Sequence, residues 1–407
     1  MKILIYHKVL SSLLGGGTFQ PLMFIAALQR HGEVTVALNE GADMAAVSKM
    51  AGVPVDVAAL KVVRLDPEGG FAARCEWFAA LLRTRKLKAL AKDADVCIST
   101  ANIMDFGKPG HHFVYLLSQF GGAAFYDYLM GRGRGLGPRR LLRRFQTAFY
   151  ENVMKPLFGV RPLRKIVADR RERVYSTSGY VEGVLRGYFG PFNGTVFYPP
   201  TTFEFNDPSV PRDPLLAIYV GRIFPPKRIT DLVEIVEKAR SLTGKDLKFR
   251  IAGVLAEIPY TVHLRKLASE RPWMELVGPV YGKDKEKFML SATYALHAER
   301  DEAFGIAIAE YLKAGCIPIV PDTGGPREIV DDRALEFHTV DDAANSLARL
   351  VRDEAFREAR LRHCAERAAK FSLAAYEVRQ QDIIREMCVP KCETGPDLLS
   401  RHGKQPK

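Results

Sequence analysis

The stretch that most constrains the fold is residues 294–322, reading YALHAERDEAFGIAIAEYLKAGCIPIVPD. A short apolar strand runs into a charged turn, Glu299-Arg300-Asp301-Glu302. A helix then opens at Phe304-Gly305 and closes near Gly315, and a second apolar strand, 317–320, follows at once. This is a strand-helix-strand unit whose loop lies at the carboxyl end of a strand, the place where ligands bind in open α/β sheets.

Within that helix Phe304, Ala307, Ile308, Tyr311 and Leu312 recur at helical spacing, and Ile306 and Ala309 leave little polar surface. Glu310 therefore sits on an almost wholly apolar helix and needs a hydrogen-bonding partner. Either the two adjacent hydroxyls of a ribose or a basic side chain in a salt bridge would serve. Glu302 is placed differently. It lies in the turn just before the helix, where the backbone N–H groups of Phe304 and Gly305 would face an anion.

The spacing Glu302-x7-Glu310, with Phe-Gly after the first glutamate, sits inside the long run E-A-F-G-I-A-I-A-E-Y-L-K-A-G-x-x-P-I-V-x-x-x-x-G-G-P-x-E-I-V. This run resembles the signature of the family-4 retaining glycosyltransferases of the GT-B fold. The resemblance implies that Glu310 holds the nucleotide ribose and that Glu302, the expected catalytic residue, lies by the donor sugar and the leaving phosphate. It covers residues 215–385 well and the rest loosely, so the donor side of the molecule is the better specified. The fold class it implies is α/β, with two Rossmann-like domains facing a cleft.

The 407 residues suit two domains, and 47% hydrophobic with 26% charged residues is ordinary for a globular chain. Lys and Arg number 59 against 47 Asp and Glu, a net charge of +12. That balance favours an anionic partner: a membrane surface, nucleic acid or a phosphorylated substrate. The six cysteines are scattered, with Cys97 and Cys316 in apolar strands, which argues for a reducing compartment rather than a disulfide framework. Cys388-x3-Cys392 has no second pair to complete a metal site. Residues 1–6 form a short strand without the features of a signal peptide, and no apolar run reaches the ~20 residues of a membrane-spanning helix. A cytoplasmic protein, or one peripheral on the cytoplasmic face of a membrane, is expected.

Along the chain, a first strand at 2–6 leads through Gly15-Gly16-Gly17 into a helix from about 21 to 30. Such a loop lets backbone approach a phosphate or makes a flexible turn, and it is not a dinucleotide-binding G-x-G-x-x-G. In the resembled family a Gly pair stands here, so Gly15 and Gly16 are expected to close over the donor phosphates. Strands at 34–38, 55–65 and 96–100, with a helix over 71–91, alternate as in a doubly wound parallel sheet. Asp93-Ala94-Asp95 reads as a helix end and turn rather than as a metal-binding D-x-D. His111 and His112 come before the next strand and are expected at the surface or a strand edge. The family's catalytic histidine position falls on Leu116 or Leu117. From Arg132 to Arg173 basic residues interleave with Leu141, Leu142, Phe145, Phe149 and Leu157, an amphipathic pattern suited to an anionic bilayer or to packing on the domain.

Strands at 174–178 and 196–198 close the first domain, expected over 1–205, and prolines mark the linker. The second domain, 206–372, opens with a strand at 215–220 and then Gly221-Arg222-Ile223-Phe224-Pro225-Pro226-Lys227. A strand end followed by this run aims two cations into the cleft: Arg222 as a fork for phosphate oxygens and Lys227 as a point charge. The family's G-R-x-x-x-x-K pattern implies diphosphate binding for both. Strands at 249–252, 275–277 and 295–297 follow. A last helix, 373–388, would cross back to the first domain, and 389–407 would be a disordered tail.

The expected function is transfer of a sugar, with retention, from a UDP- or GDP-sugar to a glycan or lipid-linked acceptor at an anionic membrane surface. Neither a metal nor a cofactor is expected, and no nucleic-acid motif accompanies the basic stretch. The P-P-T near Pro199 and the G-G-P-R-E-I-V turn look somewhat like the lipid-linked α-mannosyltransferases of N-glycan assembly. The alternatives are a sucrose-synthase-like or phosphorylase-like GT-B enzyme on soluble sugars, and a non-catalytic basic protein that binds nucleic acid.

Overall fold

In a computed structural model the chain forms two parallel sheets, each covered by helices. The structure describes residues 1–10, 16–67, 75–114, 138–201, 205 and 207–388. The first sheet contains β1 (Lys2–His7), β2 (Glu33–Leu38), β3 (Lys61–Arg64), β4 (Val96–Ser99), β5 (His111–Val114), β6 (Arg173–Ser176) and β7 (Gly194–Val196), in the order β3-β2-β1-β4-β5-β6-β7. The second contains β8 (Asp213–Val220), β9 (Lys248–Ala252), β10 (Met274–Gly278), β11 (Ala292–Leu296), β12 (Ile317–Pro321) and β13 (Glu336–Phe337), in the order β10-β9-β8-β11-β12-β13. Strand order reverses between β1 and β4 and between β8 and β11. Such switch points open a crevice at the carboxyl ends of the strands.

The central strands are buried on both faces, as parallel strands covered by helices must be. Tyr219, Phe249, Tyr294, Ile308 and Leu347 lie in one cluster of the second domain. The helix Leu373–Cys388 sets Tyr376, Ile384 and Met387 among Ile3, Ile25, Phe113 and Phe197, so the chain's last helix completes the first domain's core. Across the seam, Gly179 donates its N–H to Glu328 at 2.7 Å and Tyr198 donates its hydroxyl to the same carboxylate. Ser178 donates to the carbonyl of Ala303, and Ala303 is buried among Ile103, Val114 and Val181 of the first domain.

Several local expectations are corrected. The first helix spans Gly16–Leu28, starting before Pro21 rather than at it. The strand expected over 55–65 shrinks to β3, because Asp56 accepts the N–H groups of Ala58 and Ala59 and turns the chain. His111 and His112 belong to β5 itself. His112 is fully buried, with its Nε2 2.8 Å from Glu172, so it is a core group rather than a surface one. Glu172 also accepts from Gly110 N–H and Arg161, and Arg161 pairs with Asp105 as well.

The basic stretch is therefore partly neutralised inside the domain. Arg171 pairs with Asp169, and the buried Glu151 pairs with Lys155 and accepts the N–H of Leu163. Its helix, Pro138–Phe149, continues through a single π-helical segment, Tyr150–Met154, and presents Leu142, Phe145, Phe149, Val153 and Leu157 to solvent. Arg132, Arg134, Leu116, Leu117 and Cys392 lie outside the described residues. Cys97 and Cys316 are buried free thiols.

Candidate functional site

The site grows from the ends of β8 and β11, on either side of the second switch point. Burial forces each backbone group at the end of β8 to find a partner. Tyr311, from the helix Ile306–Lys313, accepts the N–H of Val220 on its hydroxyl at 2.6 Å. Tyr219 donates its own hydroxyl to the carbonyl of Arg222 at 3.0 Å. A side chain at Gly221 would stand 2.7 Å from that Tyr219 hydroxyl, so only glycine lets the chain pass. The Arg222 guanidinium lies over the Phe224 ring, 4.9 Å from its centroid, a cation–π arrangement.

A single 3₁₀ turn, Pro225–Lys227, follows. Arg228 then adopts a left-handed φ of 50°, and the helix Ile229–Thr243 starts beyond it, two residues later than Lys227. Tyr260 accepts the N–H groups of Ile229 and Thr230, which satisfies the start of that helix. This leaves Lys227 on a short, held turn whose ammonium reaches the loop after β11. There it pairs with both Glu299 and Glu302.

Beyond Glu302 the chain turns at Gly305, whose φ is 91°, and enters the Ile306–Lys313 helix. Arg222, Lys227, His297, Glu302, Phe304 and Gly305 share the wall of one cavity of about 300 Å³, and Thr177 and Pro199 of the first domain line it too. The cavity therefore lies where the two domains meet.

Burial and the neighbouring charge of Glu302 push the Glu299 carboxyl up to about 7, against the pull of Lys227. Burial also works to raise Glu302, but Lys227 and the hydrogen bond from Glu299 hold it down at about 2. The two carboxyls share one ammonium and titrate as a pair. Burial lowers His297 to about 4, so its imidazole is neutral near pH 7. Its Nε2 is buried without a hydrogen-bond partner. His297, Glu299 and Glu302 bring ligand atoms within 4.8 Å of one another. The Lys227 ammonium pairs with both carboxylates, so this arrangement suits a protonated amine better than a divalent ion.

Five residues singled out from the sequence, Arg222, Lys227, Glu302, Phe304 and Gly305, thus meet at one cavity. Glu310 does not reach its wall. Glu310 is buried in the helix and paired with Lys285 at 2.7 Å, the salt-bridge alternative of the sequence reading. Gly16 is the first residue of the helix after β1, and Gly15 lies outside the described residues. Sequence reasoning passed over Glu299 and His297. The charged turn and the strand end flagged both positions, but spacing does not tell which carboxylates of E-R-D-E turn inward.

Residues 201–371 match the model of the family described as glycosyl transferases group 1. Among solved structures the chain is similar to Anabaena HepE in complex with UDP, at 14% identity and TM-score 0.64, covering 95% of this chain and all of that one. It is similar to WaaG, a glycosyltransferase involved in lipopolysaccharide biosynthesis, at 15% identity and TM-score 0.62, covering 94% and 99%. Sucrose-phosphate synthase from Thermosynechococcus elongatus matches at 15% identity and TM-score 0.63, covering 95% and 98%. A search of curated proteins finds no similar sequence. The group 1 model matches the second domain, and the likeness to these solved structures along nearly the whole chain shows the fold, two Rossmann-like domains of the GT-B type.

Proposed function

We propose that the chain transfers a sugar from a nucleoside diphosphate sugar, with retention and without a metal, to a glycan or lipid-linked acceptor. The observation that carries this reading is the convergence of Arg222, Lys227 and the Phe304-Gly305 turn on one cavity beside Glu302. As the bond to the anomeric carbon breaks, negative charge develops on the departing diphosphate. Two cations and backbone N–H groups at the cavity stabilise that charge. Glu302 then positions the donor sugar. Glu310 exchanges Lys285 for the ribose hydroxyls, and Gly15 and Gly16 close over the phosphates. Retention follows from attack on the face the diphosphate leaves, with the diphosphate accepting the acceptor's proton, so no protein nucleophile is needed.

The UDP and UDP-glucose held by the similar HepE support a nucleotide sugar as donor. The exposed apolar row on the first domain supports an acceptor presented at a membrane surface, where the protein would be peripheral. A sucrose-synthase-like reaction on soluble sugars is the second reading, favoured by the likeness to sucrose-phosphate synthase.

Hydrolysis of UDP-, GDP- and ADP-sugars in EDTA tests the donor site with the wild type, Glu302→Ala, Glu310→Ala and Lys227→Ala. Slow release of one nucleoside diphosphate, cut about tenfold or more by each substitution, is expected. Turnover that survives all three changes, or no turnover of any donor, overturns the reading. Efficient transfer to free fructose or glucose phosphate would favour the soluble-sugar enzyme.

A further inference from the structure

The Lys227 ammonium that the diphosphate needs is engaged twice over. Glu299 and Glu302 both pair with it, and all three side chains are at least four-fifths buried. With both carboxylates ionised, Lys227 and Arg222 are cancelled by Glu299 and Glu302. An incoming diphosphate with two negative charges would meet a cavity of no net charge and draw the ammonium away from two buried carboxylates. Leaving buried carboxylates without a counter-charge is strongly unfavourable.

Other groups near Glu299 do not relieve this. His297 is neutral and its Nε2 has no partner. Tyr219, whose ring end lies near Glu299 and Glu302, spends its hydroxyl proton on the Arg222 carbonyl. A proton is the simplest replacement for the ammonium; burial favours one on either carboxyl, and Glu299 is the one set back from the cavity wall, where Glu302 stands to face the donor.

We propose that Glu299 is a proton-coupled positioning residue. It holds Lys227 in the donor-free site, and when the diphosphate draws the ammonium to itself, Glu299 takes up one proton from solvent in exchange. Glu299 becomes a neutral O–H as it loses the ammonium, so binding a diphosphate of two negative charges adds one negative charge to the site rather than two. Glu302 keeps its negative charge beside the donor sugar. This inference rests on the donor site proposed above.

Linkage gives the sign. A complex that holds one proton more than the free protein binds less tightly as pH rises. The affinity falls by about tenfold per pH unit above the point where free Glu299 ionises, and is level below it. Isothermal titration with UDP-glucose, GDP-mannose and ADP-glucose suits the test, because their diphosphates carry no group that titrates between pH 6 and 8.

For whichever nucleotide sugar binds, titrations at pH 8 in buffers of different ionisation enthalpy are expected to show uptake approaching one proton, falling toward zero at pH 6. Glu299→Gln, a neutral isostere, is expected to abolish the uptake, flatten the pH profile and bind more tightly than the wild type at pH 8. Binding with no buffer dependence overturns the proposal while leaving the donor site standing, and so does uptake that persists in Glu299→Gln. Absence of binding by all three nucleotide sugars overturns the donor-site reading itself. If Glu299→Gln does not fold, as judged by circular dichroism, the wild-type stoichiometry at pH 6 and pH 8 still decides.

Discussion

At the scale of single residues, the candidate site depends on buried polar atoms that have only one way to be satisfied. Tyr311 is the plainest case. Its ring belongs to the core of the second domain, and its hydroxyl is the partner of the Val220 N–H just before Gly221-Arg222. Tyr311→Phe keeps the packing but orphans that N–H, at a cost of about 1–3 kcal/mol. The expected outcome is a lower Tm together with weaker donor binding, because the Arg222 turn loosens. A Tm equal to the wild type would show that the bond does not hold the strand end. His297 adds a pH dependence of its own. Its folded value lies below the ordinary one, so its contribution is fully present above about pH 6.5 and is lost as pH falls toward 4. Glu299 acts in the opposite direction. It binds a proton more tightly when folded than when unfolded, so its contribution declines as pH rises from about 4.5 to 7.

At the scale of elements, the strand–loop–helix units at β8 and β11 carry the cations and the carboxylates, and a third turn holds the second unit in place. Gly324 opens the Gly324–Val330 helix with φ 80°. A Cβ there would stand 2.8 Å from the carbonyl of Arg300 and 3.0 Å from that of Glu302. The next residue, Gly325, donates its N–H to the Glu302 carbonyl at 2.8 Å. Gly324→Ala therefore combines a left-handed penalty of about 1–2 kcal/mol with a push on the Glu302 turn. Donor hydrolysis is expected to drop along with stability, measured by turnover and thermal melting on the same preparation. A variant that melts early yet turns over normally would separate the turn from the site. The G-G-P in the sequence was legible as a tight turn. Its support of the Glu302 loop was not, because that contact joins two loops that sequence spacing does not relate.

At the scale of the whole molecule, both domains line the cavity, Thr177 and Pro199 of the first beside the residues of the second. Glu328 ties Gly179 and Tyr198 of the first domain to the second, and the last helix returns to finish the first core. On the first domain, Leu142, Phe145, Phe149, Val153 and Leu157 form an exposed apolar row at helical spacing, and no helix among the described residues is long and apolar enough to cross a membrane. Co-sedimentation with phosphatidylserine vesicles is expected, weakened about tenfold or more by Phe145→Glu with Leu157→Glu while donor hydrolysis in detergent-free buffer is kept. Equal sedimentation of both proteins would remove the membrane surface from the functional reading. The sequence by itself determined the two parallel sheets, the loop at the end of β11, and five of the residues that line the cavity. Local rules carried the strands, the helix and the cations at a strand end, and the family resemblance carried the place of Glu302. Only the tertiary structure decided that Lys227 is shared between Glu299 and Glu302, that Glu310 rests on Lys285, and that His112 is buried against Glu172. Those pairings depend on which charged groups burial brings together from distant parts of the chain, and on the cost of leaving any of them alone.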